Sequence, residues 1–150
     1  MLYFALTCVL IVLDQWMKAW AIDNLMGQPI RTLIPGILGL RYIENTGAAF
    51  SILSGKQLVL ILITFIILGA IFGLFIRAVK NHEHFIVQLS YSLIMAGAIG
   101  NFIDRVRFNY VVDFFEFKFI NFPIFNVADV AIVSGVILLA IATLFLDYNL

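Results

Sequence analysis

Charged residues are scarce in this sequence. Lys and Arg number 9 and Asp and Glu another 9, so 12% of the 150 residues are charged, whereas 63% are hydrophobic. This composition and a mean hydropathy of +1.08 exclude an ordinary soluble domain, which needs a charged surface to face water. The formal net charge of zero also gives no reason to expect nucleic acid as a partner.

Long apolar runs are present instead, and four of them are long enough to cross a lipid bilayer, which takes roughly 20 helical residues. The sequence predicts spans over residues 2–22, 57–76, 85–103 and 127–146. The first run also resembles a cleaved secretory signal, but no Lys or Arg precedes it and a charged pair follows its apolar core, which argues against cleavage. We therefore predict an all-α membrane protein with four transmembrane helices in one domain, residues 1–150.

Two of the connecting segments have features of strands. Residues 23–56 contain Pro and Gly and then LGLRYIENTGAAF, which is compatible with a short strand. In residues 104–126, FFEFKF alternates aromatic and charged residues as a strand does. The rings of such a strip can rest on the lipid interface while Glu116 and Lys118 face water. For the individual Phe residues, an aromatic belt with no further role is the simpler interpretation.

The polar residues near the span ends fall on one side of the membrane. In a chain with four crossings, the end of span one, the start of two, the end of three and the start of four face the same side. An ionisable group inside a span costs about 2.5 to 3.5 kcal/mol, so each needs a partner or a function. The opposite side receives the chain ends and RAVKNHEH, residues 77–84. The polar side receives Asp14, Lys18, Asn45, Asn101, Asp104, Asn126 and Asp129.

Some of these residues suggest structural pairing. Asp14 and Lys18 have the i,i+4 spacing, with the acid nearer the N-terminus, that favours a helical ion pair. A structural role is the first interpretation of this pair, and a catalytic role is the alternative. Asn101 precedes Asp104 by three residues and Arg105 by four, so it lies near both on a helix.

Asp113 and Asp129 have no obvious cationic partner. Their apolar neighbours disfavour an ionised carboxylate. The segment between them contains Pro123 and is long enough to fold back, so the two acids can meet and share a proton at neutral pH. Such a pair can activate water against an amide carbonyl and protonate the leaving amine. From spacing alone an equal alternative stays open, in which Asp129 caps span four and Asp113 lies in a solvated turn.

Other chemistries lack their residues. His82 and His84 are two residues apart, which does not match an H-E-x-x-H zinc site, and both lie on the side opposite the carboxylates, which excludes a Ser-His pair at one depth. Cys8 is the only cysteine, so there is no disulfide framework. We expect no metal and no cofactor. A non-enzymatic four-span transporter or scaffold, with Asp14 as the proton-carrying acid, is the alternative to an enzyme.

Five short motifs, taken together, carry a family resemblance. They resemble those of the bacterial lipoprotein signal peptidases, also called signal peptidase II, and the resemblance covers almost the whole chain. VVDF alone is weak evidence, whereas the five in this order are specific. The motifs are DQWMK at 14–18, NTGAAF at 45–50, GNFIDR at 100–105, VVDF at 111–114 and FNVAD at 125–129.

The resemblance implies a membrane aspartyl endopeptidase whose substrate is a diacylglyceryl-modified prolipoprotein, cleaved on the amino side of the lipidated cysteine. A small sheet and a loop with a short helix would cover the site, in keeping with the 23–56 segment. Membrane lipids and inhibition by globomycin-type cyclic peptides are implied as well, and we expect a monomer. Asp113 and Asp129 match the catalytic pair, Asn45, Asn101, Arg105 and Asn126 match residues that line the site and hold the peptide backbone, and Asp14, Lys18 and Asp104 match the supporting set.

The charge distribution and the resemblance disagree about orientation. The positive-inside rule places the face richer in Lys and Arg in the cytoplasm. The resemblance implies a bacterial cell membrane with the site outward and both termini cytoplasmic. We adopt that orientation as the expectation, because several of the cations have site or interface roles. Unlike the family, this chain has no basic lead before span one and no basic tail. The polar face carries Arg31, Arg41, Lys56, Arg105, Arg107 and Lys118, and the opposite face Arg77 and Lys80.

Overall fold

A computed structural model describes residues 2–47 and 55–146 of the chain. Its main feature is four helices that are long and apolar enough to cross a membrane, which confirms the predicted fold class. The helices continue for three to five residues beyond the first three predicted spans. Hydropathy marks where a helix leaves the hydrocarbon, and nothing there requires the helix to end. The helices are α1 (Leu2–Leu25), α2 (Gln57–Lys80), α3 (Phe85–Phe108) and α4 (Val127–Phe145).

Local signals in the sequence explain several helix ends. The side chain of Asn126 accepts a hydrogen bond from the backbone N–H of Asp129, and the carboxylate of Asp129 accepts one from the N–H of Asn126, so a capping box begins α4. The helix α3 begins after His84, whose ring accepts a hydrogen bond from the N–H of Ile86, and ends before Asn109 in the left-handed conformation. The capping box fixes where Asp129 lies in the first turn of α4.

The helix α3 lies at the centre of the bundle and packs against the other three helices. In its most apolar 18-residue window 61% is buried, against 22% for α1, 11% for α2 and 22% for α4. Glycine makes the contact between α3 and α4 close: a Cβ at Gly97 would collide with the carbonyl oxygen of Ala128, and one at Gly135 would lie 2.7 Å from the carbonyl oxygen of Ser90. The other faces of the bundle are apolar and exposed, as a lipid-facing surface requires.

An antiparallel sheet of three strands, β1 (Arg31–Ile34), β2 (Leu38–Asn45) and β3 (Val111–Phe117), lies at one end of the bundle in the order β1-β2-β3. The β1–β2 turn places Gly36 at a φ of 71°, where glycine is favoured. In the pairing of β2 with β3, Ile43 lies opposite Asp113. This register brings the end of β2, and with it the 45–47 loop, to the acid on β3.

The sheet also tests the expectations for the connecting segments. The strand predicted within LGLRYIENTGAAF is confirmed, and the FFEFKF strand is confirmed in part, because β3 begins at Val111 and ends before Lys118. The alternative that placed Asp113 in a solvated turn is wrong, since Asp113 lies within β3 and is 2% exposed. The aromatic-belt interpretation is wrong for Phe114, which is fully buried against α1 and β2. The short helix expected within the 23–56 segment is not found in its described part beyond the end of α1, and residues 48–54 lie outside the described residues.

Candidate active site

The structure brings Asp113 and Asp129 to the wall of one cavity of about 330 Å³, at the end of the bundle covered by the sheet. Asp113 comes from β3 and Asp129 from the first turn of α4. Val111, Ile132 and Val133 give the cavity an apolar wall on the side of the bundle. Two acids from distant parts of the chain therefore face a single partly apolar space.

Amide side chains hold both carboxylates. The Nδ2 of Asn45 donates to Oδ2 of Asp113 over 2.9 Å, and the Nδ2 of Asn126 donates to Oδ1 of the same residue over 2.7 Å. The Nδ2 of Asn101 donates to Oδ1 of Asp129 over 2.8 Å. Across residues 2–47 and 55–146, no Lys or Arg nitrogen lies within 4.0 Å of either carboxylate.

Asp129 has two structural tasks at once. Its Oδ2 accepts the backbone N–H of Asn126 over 3.1 Å, so this acid does help to cap α4, as the alternative interpretation held. Its Oδ1 accepts from Asn101 instead and belongs to the cavity wall. Capping and membership of the acid pair are therefore compatible.

Burial and, to a smaller extent, the negative charge of Asp129 raise the pKa of the Asp113 carboxyl from its ordinary value of 3.8 to about 7. The hydrogen bonds from Asn45 and Asn126 and the charge of Lys18 oppose this rise. Because this pKa lies near neutrality, Asp113 can both hold and release a proton at physiological pH.

Lys18 lies behind the acids, 2% exposed, and its ammonium group makes three short contacts. Its Nζ lies 2.9 Å from Oδ2 of Asp14, 3.0 Å from Oδ2 of Asp104 and 2.9 Å from Oδ1 of Asn101. The predicted i,i+4 ion pair is confirmed by the first of these distances. The third fixes the orientation of the Asn101 amide, because an oxygen bound to Lys18 leaves the NH₂ group for Asp129.

The two acids bound to Lys18 also hold backbone groups beside the cavity. Oδ2 of Asp104 accepts the N–H of Val112 over 3.1 Å, and Oδ1 of Asp14 accepts the N–H of Ala128 over 2.8 Å. Val112 and Ala128 directly precede Asp113 and Asp129 in the chain. The buried network of α1 and α3 therefore positions the backbone that carries each acid of the pair.

Gln15 belongs to the same network and was not among the residues selected from the sequence. Its Nε2 donates to Oδ1 of Asp104 over 2.9 Å and to the carbonyl oxygen of Gly100 over 3.1 Å. Gln15 lies within the DQWMK motif, and this position could have identified it as a site residue. Phe122, Pro123 and Ile124, which also line the cavity, were not selected either, and no local pattern marks them.

Arg105 points away from its neighbour Asp104 and lines the cavity with the two acids. It is 9% exposed, and its Nη2 donates to the carbonyl oxygen of Gly47 over 3.2 Å. Within the described ranges its Nε has no hydrogen-bond partner. Arg105 therefore keeps a buried donor available beside the acid pair.

Among the described residues, further cavities lie near the acids. One of about 530 Å³ reaches from Asp113 along β2, while one of about 320 Å³ lies between α2 and α3 and is mostly apolar. A third, of about 220 Å³, lies between aromatic side chains and the start of α4 and includes Asp129. Among the residues that the structure describes, no group of three or more His, Cys, Asp or Glu side chains is arranged to hold a metal ion.

Solved structures with this fold are known. Two structures described as bacterial membrane enzymes, solved by the in meso method, are each 38% identical to this chain, with TM-scores of 0.84 and 0.85. Both cover 95% of this chain, and they are covered over 87% and 92% of their own length. At this identity and coverage, the likeness extends over almost the whole molecule.

Sequence comparison gives the same result with curated relatives. A lipoprotein signal peptidase of Latilactobacillus sakei subsp. sakei (strain 23K) is 44% identical over 144 residues, 96% of this chain and 94% of that protein. One of Enterococcus faecalis (strain ATCC 700802 / V583) is 47% identical over 135 residues, 90% of this chain and 83% of that protein. The family model described as Signal peptidase (SPase) II matches residues 6–145. This chain therefore belongs to the signal peptidase II family, in which the lipoprotein signal peptidases are its close relatives.

Proposed function

We propose that this protein is a lipoprotein signal peptidase of the aspartic type, formed by one membrane domain. Its substrate is a diacylglyceryl-modified prolipoprotein, and it hydrolyses the peptide bond on the amino side of the lipidated cysteine. The observation that carries the proposal is the pair of acids, the buried Asp113 and the partly buried Asp129, on one cavity at the end of an apolar bundle. The names of the related proteins support the substrate class.

In this mechanism the acid pair carries one proton. The ionised carboxylate takes a proton from water as the water oxygen attacks the amide carbonyl carbon, and the protonated carboxyl donates its proton to the carbonyl oxygen. When the resulting gem-diol collapses, one hydroxyl returns its proton to the pair and the C–N bond breaks. The other acid protonates the leaving nitrogen of the cysteine, so the pair ends with the single proton with which it began.

In this proposal the asparagines of the site orient the two acids and have a smaller role in binding the substrate. The Nδ2 groups of Asn45, Asn101 and Asn126 already donate to the two carboxylates or to each other. They therefore orient the acids, whereas Arg105 retains a buried Nε–H that can bind a carbonyl oxygen of the peptide. Asp14, Lys18 and Asp104 support the backbone beside the acids.

A proton-coupled transporter is not favoured by the structure. It would need an acid within the bundle that is free to exchange protons, and Asp14 was the candidate. Asp14 is 1% exposed and binds both the ammonium of Lys18 and the backbone N–H of Ala128. The pairing of Asp14 with Lys18 and with the backbone of Ala128 supports a structural role for this acid instead.

The test is cleavage of a lipidated precursor by purified protein in detergent, followed as a shift on a gel. We expect cleavage by the native sequence, inhibition by globomycin, and no turnover by Asp113→Asn or Asp129→Asn proteins that remain folded. Glu116→Gln is the matched control, because Glu116 is an acid on the same strand as Asp113 that pairs with Lys118 away from the cavity. Retained turnover in either dyad variant would remove the proposed mechanism.

The cellular setting follows from the same proposal. We place the protein in the bacterial cell membrane as a monomer, with the acid pair towards the outer face and both termini in the cytoplasm. The signal peptide then reaches the site from within the bilayer, and the mature lipoprotein leaves on the outer side. Membrane lipids surround the exposed apolar faces of the helices.

A further inference from the structure

The cavity of about 530 Å³, which we call the outer cavity, differs in character from its neighbours. Its walls include Arg41 and Glu44 of β2, Asp113 of β3 and the segment 121–124. It shares Asp113 with the cavity that contains both acids, so the two spaces meet at the reacting position of the proposed mechanism. The volume falls within the ~300–1,000 Å³ range of ligand pockets.

The lining becomes more polar from the bundle side to the sheet side of the acid pair. On the bundle side, Ile132 and Val133 of α4 form the wall, and Ile132 also lines the apolar cavity between α2 and α3. On the sheet side, the outer cavity presents Arg41 and Glu44. A chain that crosses the site would therefore have mostly apolar surroundings before the acids and more polar surroundings, with Arg41 and Glu44, after them.

We propose that the outer cavity binds the extended segment of the prolipoprotein that follows the lipidated cysteine, and that Arg41 selects acidic side chains in that segment. The inference rests on the proposed function. An apolar signal peptide is stable only against the bilayer side, so the polar chain after the scissile bond has to leave through the sheet side.

Arg41 is suited to this selection because its charge is available. Its guanidinium is half exposed, and its one salt-bridge contact within the described residues is 3.7 Å long, to Glu116. Glu116 pairs more closely with Lys118. Glu44 is held at its carboxylate by the hydroxyl of Tyr42 over 3.1 Å. An acidic residue of the substrate therefore meets a cation that no other group holds tightly.

The experiment compares two lipidated precursors that differ only in the second residue after the cysteine, Asp in one and Lys in the other. In non-ionic detergent at low salt, we expect the native protein to cleave the Asp precursor ~2- to 5-fold better in kcat/KM, the size of a partly exposed ion pair. Arg41→Glu should abolish or reverse this preference, mainly through KM. Arg31→Glu is the matched control, because Arg31 is an exposed cation on β1 that does not line the outer cavity.

The outcomes separate this inference from the proposed function. If both precursors are cleaved but the preference is the same in the native and Arg41→Glu proteins, the selection by Arg41 is wrong and the peptidase assignment stands. If no lipidated precursor is cleaved, the proposed function itself fails. If Arg31→Glu removes the preference for the Asp precursor as completely as Arg41→Glu does, the preference comes from the overall positive charge of the surface. That result would overturn the assignment to the outer cavity.

The location is tested separately with a photo-crosslinking residue in a precursor bound to the Asp129→Asn protein. Placed two residues after the cysteine, the probe should form adducts with Arg41, Ile43 and Glu44 of β2, which line the outer cavity but not the cavity that contains both acids. Placed two residues before the cysteine, it should instead label α4 near Ile132 and Val133, which line the bundle side. Adducts on α4 from both positions would overturn the placement of the mature segment in the outer cavity.

Discussion

Asparagine side chains hold the carboxylates of Asp113 and Asp129, and no Lys or Arg in the described part of the chain forms a salt bridge with either acid. An amide N–H orients a carboxylate but favours its ionised form less than a full positive charge does. At Asp113, the effects of burial and of the charge of Asp129 therefore outweigh the effect of the amide hydrogen bonds, and the pKa rises to about 7. If Lys or Arg replaced the amides, the proton that the mechanism needs would be lost at neutral pH.

The pH dependence of cleavage follows from this pKa. As the pH rises through about 7, Asp113 loses its proton, and the proposed mechanism loses its general acid. We expect kcat for a lipidated precursor to fall on the alkaline side with an apparent pKa near 7 that belongs to the pair. The shared-proton mechanism would be contradicted if the rate constant for cleavage in single-turnover assays were the same from pH 6 to pH 9.

The same pKa affects stability. Between the ordinary carboxyl pKa of 3.8 and about 7, the folded protein keeps a proton on Asp113 that the unfolded chain has released. The free energy of unfolding therefore falls as the pH rises through this window, by up to about 1.4 kcal/mol per pH unit, and this group has no further effect above it. In detergent, the melting temperature of the Asp113→Asn protein should fall less steeply from pH 4.5 to 6.5 than that of the native protein. Equal slopes in the two proteins would mean that Asp113 titrates normally.

Among the elements, α1 supports the site through its buried charges. Asp14 joins α1 to α4 by accepting the N–H of Ala128, and Lys18 joins α1 to α3. We expect Asp14→Ala to lower the free energy of unfolding by about 3–5 kcal/mol, because it breaks a buried ion pair. Turnover per folded molecule should fall less, since Lys18 keeps its contacts with Asp104 and Asn101.

The control for that variant is Asp23→Ala, which removes an exposed acid from the same helix. Chemical denaturation in detergent and turnover normalised to folded protein distinguish the two effects. A stable Asp14→Ala protein without turnover would instead place Asp14 in the active site.

The close packing of α3 against α4 also positions the site. A methyl group at Gly97 would meet the carbonyl oxygen of Ala128 and would lie 2.7 Å from Cγ1 of Ile132, so α4 would have to move. Since Ala128 precedes Asp129, we expect Gly97→Ala to cost about 1–3 kcal/mol and to lower kcat as well. Gly69→Ala in α2 is the control, because its added Cβ meets no atom within 4 Å. Comparable melting temperatures and turnover in the two variants would contradict this account.

At the scale of the whole molecule, composition and the parity of the crossings predicted more than local pattern did. Four apolar runs predicted the helices, and parity alone placed Lys18, Asn101 and Asn126 on one side, where they are hydrogen-bonded. The environment of Asp113 stayed open because it depends on the register of β2 with β3. Asn45 and Asp113 are 68 residues apart, and no local signal specifies such a pairing. The outer cavity escaped prediction for the same reason, because residues of β2, β3 and the 121–124 segment form it together.

Orientation in the membrane is the property on which charge and family disagree. The end of the bundle that carries the sheet has more Lys and Arg than the opposite end, which the positive-inside rule reads as cytoplasmic. Several of these cations have site or structural roles: Arg105 is buried against Gly47, Lys118 pairs with Glu116, and Arg41 lines the outer cavity. A count that omits the three leaves little difference between the two ends. The bias that the rule measures is therefore weak in this protein.

Labelling of single cysteines with a membrane-impermeant maleimide decides the orientation. In a Cys8→Ser background, Thr32→Cys places a thiol on the exposed strand β1, and Asn81→Cys places one between α2 and α3 at the other end of the bundle. If the acid pair faces outward, intact spheroplasts should be labelled at position 32, and position 81 should react only after the membrane is disrupted. The reverse pattern would put the acid pair in the cytoplasm. Because the mature lipoprotein is taken to leave through the sheet side, that result would overturn the proposed route of the substrate as well as the orientation.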